Sequence, residues 1–171
     1  RTKLLSLIGT RMDFVLTRET AELKGYEIQI SNLRKRLMST EKKLVVEEVA
    51  YTWFNRVMAL RFMDANGYTI PKVVTPADGQ TRPEILQEAM GGSVDENLNI
   101  TTDDLMLPEP KLYKRLLIES CKYWGKYMPF LFEEIKDYTE LLLPDDLLSD
   151  QSFVTDIREG MTDEDCKNVE I

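Results

Sequence analysis

The fold is decided by residues 44–63, which read LVVEEVAYTWFNRVMALRFM. Their apolar side chains follow a helical period but cover most of the circumference of the helix instead of one stripe. A helix that is apolar nearly all round is packed on several sides. The stretch therefore predicts a long central helix, which ends at Asn66–Gly67 because a glycine in the left-handed conformation stops a helix.

Two further helices are predicted before this one. From Thr2 to Leu16, apolar residues recur every three and four positions, which is the period of an amphipathic helix. A second helix is predicted after Thr20, running to about Leu37, with Gly25 inside it at a cost of about 1 kcal/mol. Residues 1–66 are thus expected to form three helices.

The rest of the chain divides at about residue 110. Residues 67–110 contain most of the prolines and half of the glycines, which predicts an irregular middle with a short extended piece at Val73–Val74. Residues 111–171 are predicted to be helical and are acidic, and they include a helix that starts at Pro129 and continues through Ile135 to Leu142. We therefore expect one mainly α domain over residues 1–171, a multi-helix bundle with at most a short extended or hairpin element.

Composition excludes several classes of site. The chain has no His, so Ser-His-Asp triads, His general bases and Cys/His zinc sites are excluded. Cys121 and Cys166 are too far apart for a redox pair of the CxxC type. No run of about 18 apolar residues occurs, so we expect no membrane span and a cytoplasmic protein.

Positive charge is concentrated near the N-terminus. Residues 1–63 carry 12 Lys and Arg against 7 Asp and Glu, whereas residues 64–171 carry 10 against 23. Five cations cluster within ten residues: Arg34, Lys35, Arg36, Lys42 and Lys43. This cluster is a candidate contact for the phosphates of double-stranded DNA, and a solvated helix face is the equal alternative.

Acidic residues offer weaker candidates. Glu109–Pro110–Lys111 has the (D/E)xK spacing of many metal-dependent nucleases, although Pro108 and Pro110 favour the start of a helix over a strand. The acidic groups at 103–104, 145–146 and 163–165 suit helix capping better than Mg²⁺ binding. No metal site is expected.

The central helix also carries polar residues at unusual places. Asn55 and Arg56 interrupt an apolar stretch, so they need partners either inside this domain or in a second one. With their neighbours they form the set of motif and domain-interface candidates: Tyr51, Trp53, Asn55, Arg56 and Arg61.

This segment carries a family resemblance. The stretch 46–56, followed by 59–63 and 66–68, closely resembles the N-terminal region of the adenine-specific DNA methyltransferases of BREX-type phage-defence systems, the PglX-like family. Shorter similarities follow in the same order at 83–86, 140–145 and 156–159. The resemblance implies that the parent protein transfers a methyl group from S-adenosylmethionine to the N6 amino group of adenine in DNA.

The same resemblance limits what this chain is expected to do. The family's Gly-rich cofactor loop and (N/D/S)PP(Y/F) motif are both absent from the sequence, so no catalytic or cofactor-binding residue is assigned here. We expect a non-catalytic piece of a larger methyltransferase, with the catalytic domain in cis as its partner. A nuclease using Glu109 and Lys111, and a module that binds other defence proteins through residues 144–171, are the alternatives.

Overall fold

The structure is a computed structural model that describes residues 1–132 and 138–168. Within these residues the chain forms nine α-helices and no β-strand, which confirms the mainly α prediction. The helices are α1 (Thr2–Thr17), α2 (Glu27–Ser39), α3 (Lys42–Ala65), α4 (Glu84–Met90), α5 (Thr102–Leu105), α6 (Glu109–Gly125), α7 (Tyr138–Leu141), α8 (Phe153–Gly160) and α9 (Asp163–Lys167).

The chain forms two compact units, and the single domain predicted from the sequence stays a prediction. Unit 1 comprises Arg1–Phe54 and the described residues of Glu134–Pro144. In this unit α2 packs against both α1 and α7. Its core is built from the apolar faces of these helices and of the first half of α3: Leu4, Ile8, Met12, Val15, Leu33, Val45, Val49, Trp53, Tyr138, Leu141 and Leu142.

Unit 2 comprises Asn55–Glu133 and Asp145–Ile171, as far as these are described. Here α6 packs against α4 and α5. The core of unit 2 again comes from helical faces, joined by two residues of the irregular middle: Val57, Leu60, Val73, Val74, Leu86, Leu112, Tyr113, Leu116, Leu117, Phe153 and Val154.

The second helix starts later than predicted. A 3₁₀ turn at Ala21–Leu23 is followed by Gly25, whose φ of 88° lies in the left-handed region, and α2 begins only at Glu27. The prediction of one helix from Thr20 was wrong because a glycine with positive φ ends helical geometry instead of being tolerated within it.

The irregular middle contains less extended structure than predicted. Val73 and Val74 are buried, but they form no strand; their backbone N–H groups bond to a side chain of α3. The extended element among the described residues is an isolated antiparallel bridge between Pro76 and Pro83. The prediction of a short extended piece at Val73–Val74 was therefore wrong in its position.

The ends of the helices follow the predicted signals in part. Gly67 has a φ of 72° and closes α3, as expected. Thr162 and Asp165 form a capping box at the start of α9. The helix predicted to start at Pro129 was wrong at its start, because residues 129–132 form turns and a bend. Ile135 lies outside the described residues, and Tyr138–Leu141 are helical. No helix among the described residues is long and apolar enough to cross a membrane.

The central helix is less enclosed than its sequence predicts. In α3, Trp53 is fully buried, but Leu44 is 51% exposed, Tyr51 70% and Phe54 37%. The prediction that α3 is packed on several sides was therefore only partly correct. The side that carries Trp53 is buried, and the side that carries Leu44, Tyr51 and Phe54 is exposed.

Candidate functional site

The five predicted cations do not form one surface. Arg34, Lys35 and Arg36 lie in the second half of α2, and Lys42 and Lys43 lie in the first turn of α3, all within unit 1. Successive residues of an α-helix point about 100° apart, so neighbours in sequence face different elements. The contacts of these side chains sort them into three groups.

Arg36 faces the interior of unit 1. One of its terminal nitrogens lies 3.1 Å from a carboxylate oxygen of Glu48, and both side chains are about one-third exposed. The hydrogen bond to Glu48 and the attraction of its charge raise the pKa of Arg36. Arg36 therefore links α2 to α3 and is not presented to solvent as a free charge.

Arg34 and Lys42 both reach toward the C-terminal end of α1. Lys42 Nζ lies 2.5 Å from a carboxylate oxygen of Asp13. Arg34 donates a long hydrogen bond, 3.4 Å, to the carbonyl oxygen of Leu16. A cation at the carbonyls that end a helix is favoured because they have no partner within the helix and carry the negative end of its dipole.

Lys35 and Lys43 are the most available cations of the five. Both are exposed, and neither forms an ion pair among the described residues. Arg34 is also exposed, and it contacts the carbonyl oxygen of Leu16. We call Arg34, Lys35 and Lys43, which are exposed and form no ion pair among the described residues, the α2–α3 cations.

The motif candidates are likewise placed in different surroundings. Tyr51 is exposed, whereas the indole N–H of Trp53 donates a 2.8 Å hydrogen bond to the carbonyl oxygen of Thr139 within unit 1. Asn55 is half-buried, and Arg56 is buried with 6% of its surface exposed. The structure brings only part of this motif to the surface, chiefly Tyr51.

Arg61 is an internal anchor of unit 2. Its guanidinium donates to the carbonyl oxygen of Met161 at 2.9 Å, to the hydroxyl of Thr75 at 3.1 Å and to Asp163 at 2.6 Å. The hydrogen bond from Arg61 lowers the pKa of Asp163. Arg61 thus ties the irregular middle and the start of α9 to α3.

A neighbouring cluster that the sequence did not reveal is centred on Asp64. This carboxylate is almost fully buried and accepts hydrogen bonds from the hydroxyl of Thr69 at 2.5 Å, from Val73 N–H at 2.8 Å and from Val74 N–H at 2.9 Å. Burial raises the pKa of Asp64 even though these hydrogen bonds oppose the shift. The sequence offered one indication that Asp64 is buried: it lies one turn after Leu60, on the buried side of α3.

The Asp64 cluster continues onto α6 and α8. The hydroxyl of Tyr113 donates to the carbonyl oxygen of Val73 at 2.9 Å, and Arg158 donates a long hydrogen bond to that of Val74 at 3.4 Å. Burial raises the pKa of Tyr113, so it remains a neutral donor. Both backbone polar groups of Val73 and Val74 are therefore satisfied by side chains.

Glu109 and Lys111 lie at the start of α6, which confirms the prediction of a helix start, and not a strand, at this segment. Pro108 is the N-cap of that helix, and Glu109 holds both Nε and a terminal nitrogen of Arg82. The described residues contain no group of three or more His, Cys, Asp or Glu side chains placed to hold a metal ion. The arrangement at Glu109 is an ion pair at a helix start.

The other acidic groups have structural contacts. Asp104 completes a capping box with Thr101, which confirms capping as its role. Asp145 instead pairs with Lys114 at 2.8 Å. Asp146 accepts from the backbone N–H of Ser149 at 3.1 Å.

Comparison with known proteins identifies two relatives. The chain is 28% identical over 180 residues to the adenine-specific methyltransferase BrxX of Escherichia coli O9:H4 (strain HS), an alignment covering 90% of this chain and 14% of that protein. It is 36% identical over 137 residues to the adenine-specific methyltransferase PglX of Lacticaseibacillus casei (strain Zhang), covering 71% of this chain and 11% of that protein. No family model matches the chain.

Proposed function

Because the chain is a PglX-like region, related to adenine-specific methyltransferases over most of its length, we propose that it is a non-catalytic helical domain of such an enzyme. In this proposal the parent protein methylates the N6 amino group of adenine in double-stranded DNA with S-adenosylmethionine, within a phage-defence or restriction-modification system. The domain supports the catalytic domain, which lies elsewhere in the polypeptide. The similarity to BrxX and PglX is the observation that carries the proposal.

The side chains of this chain support a structural role over a catalytic one. The paired glycines Gly91 and Gly92 suit a phosphate-binding loop in principle, but they end α4, where Gly92 takes a φ of 86°. Arg61, Asp64 and Glu109 are each engaged in internal hydrogen bonds or ion pairs. These residues do not fit a site for S-adenosylmethionine, so we place cofactor binding in the catalytic domain.

The first test measures cofactor binding and methylation. We expect calorimetric titration of the 171-residue chain with S-adenosylmethionine to show no binding, while the complete parent polypeptide binds it. Removing residues 1–171 from the parent should strongly reduce N6-methyladenine in host DNA. Micromolar affinity of the 171-residue chain for the cofactor, or full methylation without these residues, would contradict the proposal.

A second role, contact with the DNA backbone, is favoured by the exposure of the α2–α3 cations. Of the five predicted cations, Lys35 and Lys43 are free to meet phosphates, whereas Lys42 and Arg36 must first leave Asp13 and Glu48. Each phosphate contact contributes about one unit to the dependence of log affinity on log salt. Such contacts position DNA without reading its sequence.

This second role has matched controls on the same two helices. We expect Lys35→Ala and Lys43→Ala each to lower the salt slope of DNA binding by the complete parent protein by about one unit. Lys42→Ala, next to Lys43 but held by Asp13, should leave the slope nearly unchanged. Equal effects of all three substitutions would show that the ion pairs do not determine which cations meet DNA.

The acidic end of the chain, the alternative site for docking other defence proteins, is partly engaged within unit 2. Asp145 pairs with Lys114, Asp163 with Arg61, and Asp165 caps α9. These three carboxylates have partners within unit 2, whereas Asp150, Glu159 and Glu164 of the same region are exposed.

A further inference from the structure

One face of α3 in unit 1 is apolar and open to solvent. Leu44, Glu47, Tyr51 and Phe54 are spaced by three, four and three residues, so they lie within an arc of about 80° on the helix surface. We call these four residues the α3 stripe. Leu44 is 51% exposed and Tyr51 70%, while Phe54 is 37% exposed and Glu47 is half-buried.

The opposite face of the same helix is fully packed. Val45, Val49 and Trp53 are buried completely in the core of unit 1. A helix with one face in a core normally places polar side chains on the other face. Three of the four residues in the α3 stripe are instead large and apolar, and covering them would remove apolar surface from water.

The spacing of the α3 stripe fits another helix. Intervals of three and four residues are the a and d positions of a helical seam, into which side chains of a second helix insert. Tyr at the centre of such a patch is a residue type that contributes strongly to protein interfaces. The geometry thus favours an amphipathic helix that runs along α3.

Glu47 adds a requirement for charge. It lies between Leu44 and Tyr51 in the stripe and forms no ion pair among the described residues. A partner that covers the stripe must bring a Lys or Arg to it, since a half-buried carboxylate without a partner is unfavourable. The same carboxylate repels phosphates, so the stripe does not suit DNA.

We infer that the α3 stripe is the docking surface for an amphipathic α-helix of the methyltransferase part of the same polypeptide, with a Lys or Arg placed against Glu47. This inference rests on the proposed function, which joins the chain covalently to that part. A covalent connection makes this docking intramolecular, which lowers the affinity that the stripe itself must supply.

Site-specific crosslinking in the complete parent polypeptide tests the inference. The photoreactive amino acid p-benzoylphenylalanine replaces Tyr51 in one variant and Met38 in a control variant. Met38 is a suitable control because it is 87% exposed and apolar but lies on α2, outside the stripe. We expect the probe at Tyr51 to crosslink within one molecule to a helix outside residues 1–171, and the probe at Met38 not to do so.

Each other outcome overturns the inference. Crosslinks between two copies, detected with mixed isotope labels, would make the occupant a second copy of the chain. Crosslinks to another protein or to DNA would assign the stripe to a different partner. If Tyr51 gave no crosslink, or no more than Met38, the stripe would not be a docking surface.

A charge reversal tests the predicted cation. Glu47→Lys should lower the crosslink yield from Tyr51 about tenfold, because like charges then face each other. Glu19→Lys, an equal change of charge in the exposed segment after α1, should leave the yield unchanged. An unaffected yield with Glu47→Lys would contradict the predicted partner chemistry, and circular dichroism would verify that both variants remain folded.

The two proposals fail differently. Loss of methylation on removing residues 1–171, without any specific crosslink from Tyr51, would leave the proposed function standing and reject the docking surface. Normal methylation after that removal would reject the proposed function itself, whatever the crosslinks.

Discussion

The two halves of α3 bury different kinds of side chain. The first half, which belongs to unit 1, buries apolar residues such as Val45, Val49 and Trp53. The second half, which belongs to unit 2, also buries Arg56, Arg61 and Asp64. One continuous helix therefore supplies apolar packing in one unit and, in the other, also the side chains of Arg61 and Asp64, which hydrogen-bond to irregular backbone.

The reason lies in what each half must satisfy. Helices such as α1 and α2 pair most of their own backbone groups, so their neighbours need only fill space. The residues after α3 form no regular structure around Val73 and Val74, yet they are buried. Their N–H groups need acceptors from elsewhere, and Asp64 provides them.

The largest effect on the free energy of unfolding should come from a substitution in the first half of α3. Trp53→Ala should lower the free energy of unfolding by about 3–5 kcal/mol, because it leaves a cavity and removes the hydrogen bond to Thr139. Tyr51→Ala, two residues earlier but mostly exposed, should change it by about 0.5 kcal/mol or less. Urea unfolding of the 171-residue chain measures both. Similar losses for the two variants would contradict the burial described for this half.

The second half of α3 is tested by a substitution that changes the chemistry of Asp64 but not its volume. Asp64→Asn keeps the shape of the side chain but turns one acceptor into an N–H donor facing a backbone N–H. We expect a loss of about 1–3 kcal/mol in the free energy of unfolding. Asp78→Asn, at an exposed turn position of unit 2, serves as a control of equal charge change. An unaltered stability with Asp64→Asn would show that the loop does not depend on this carboxylate.

The pH dependence of stability sharpens the same comparison. Because burial raises the pKa of Asp64 in the folded state, protonation of Asp64 stabilises the fold. This stabilisation is fully present below the pKa that Asp64 has in the unfolded chain, and it is lost as the pH rises through the higher pKa of the folded state. The stability difference between the wild type and Asp64→Asn should therefore shrink between acidic and neutral pH. Urea titrations of both proteins across that range measure it, and a difference that grew with pH would indicate a lowered pKa instead.

The smallest effect should come from the surface cations of unit 1. Arg34→Ala removes a cation from the carbonyl end of α1, which is favourable by about 0.3–1 kcal/mol at an exposed site. Lys35→Ala, on the same helix without such a contact, should have no measurable effect on stability. Equal results for both variants, measured by thermal unfolding at low salt, would reduce the role of Arg34 to that of a solvated charge.

Much of the fold could be predicted from local patterns. The period of apolar residues located α1 and α3, and Gly67 marked the end of α3 as expected. Gly25 was misjudged because the sequence does not distinguish a glycine tolerated inside a helix from one that interrupts the helix at positive φ. Val73–Val74 were misjudged because two adjacent β-branched residues suggest a strand when their partner is unknown.

The candidate site was less predictable. Five cations close in sequence suggested one patch, but helical rotation directed Arg36 to Glu48 and Lys42 to Asp13. The Asp64 cluster escaped notice because its donors lie nine and ten residues away in sequence, and no local rule links them. Arg61 was noticed, but its partners near residue 161 were not.

The sequence by itself determined that this protein is mainly helical, that it lacks imidazole chemistry, and that it resembles PglX-like methyltransferases. These properties depend on composition and on contacts within a few residues, which the order of amino acids states directly. Only the tertiary structure decided which cations stay free, which charges are buried, and which side of α3 remains open. Those properties depend on pairs distant in the chain, such as Arg61 with Asp163, whose meeting is fixed by how the helices pack.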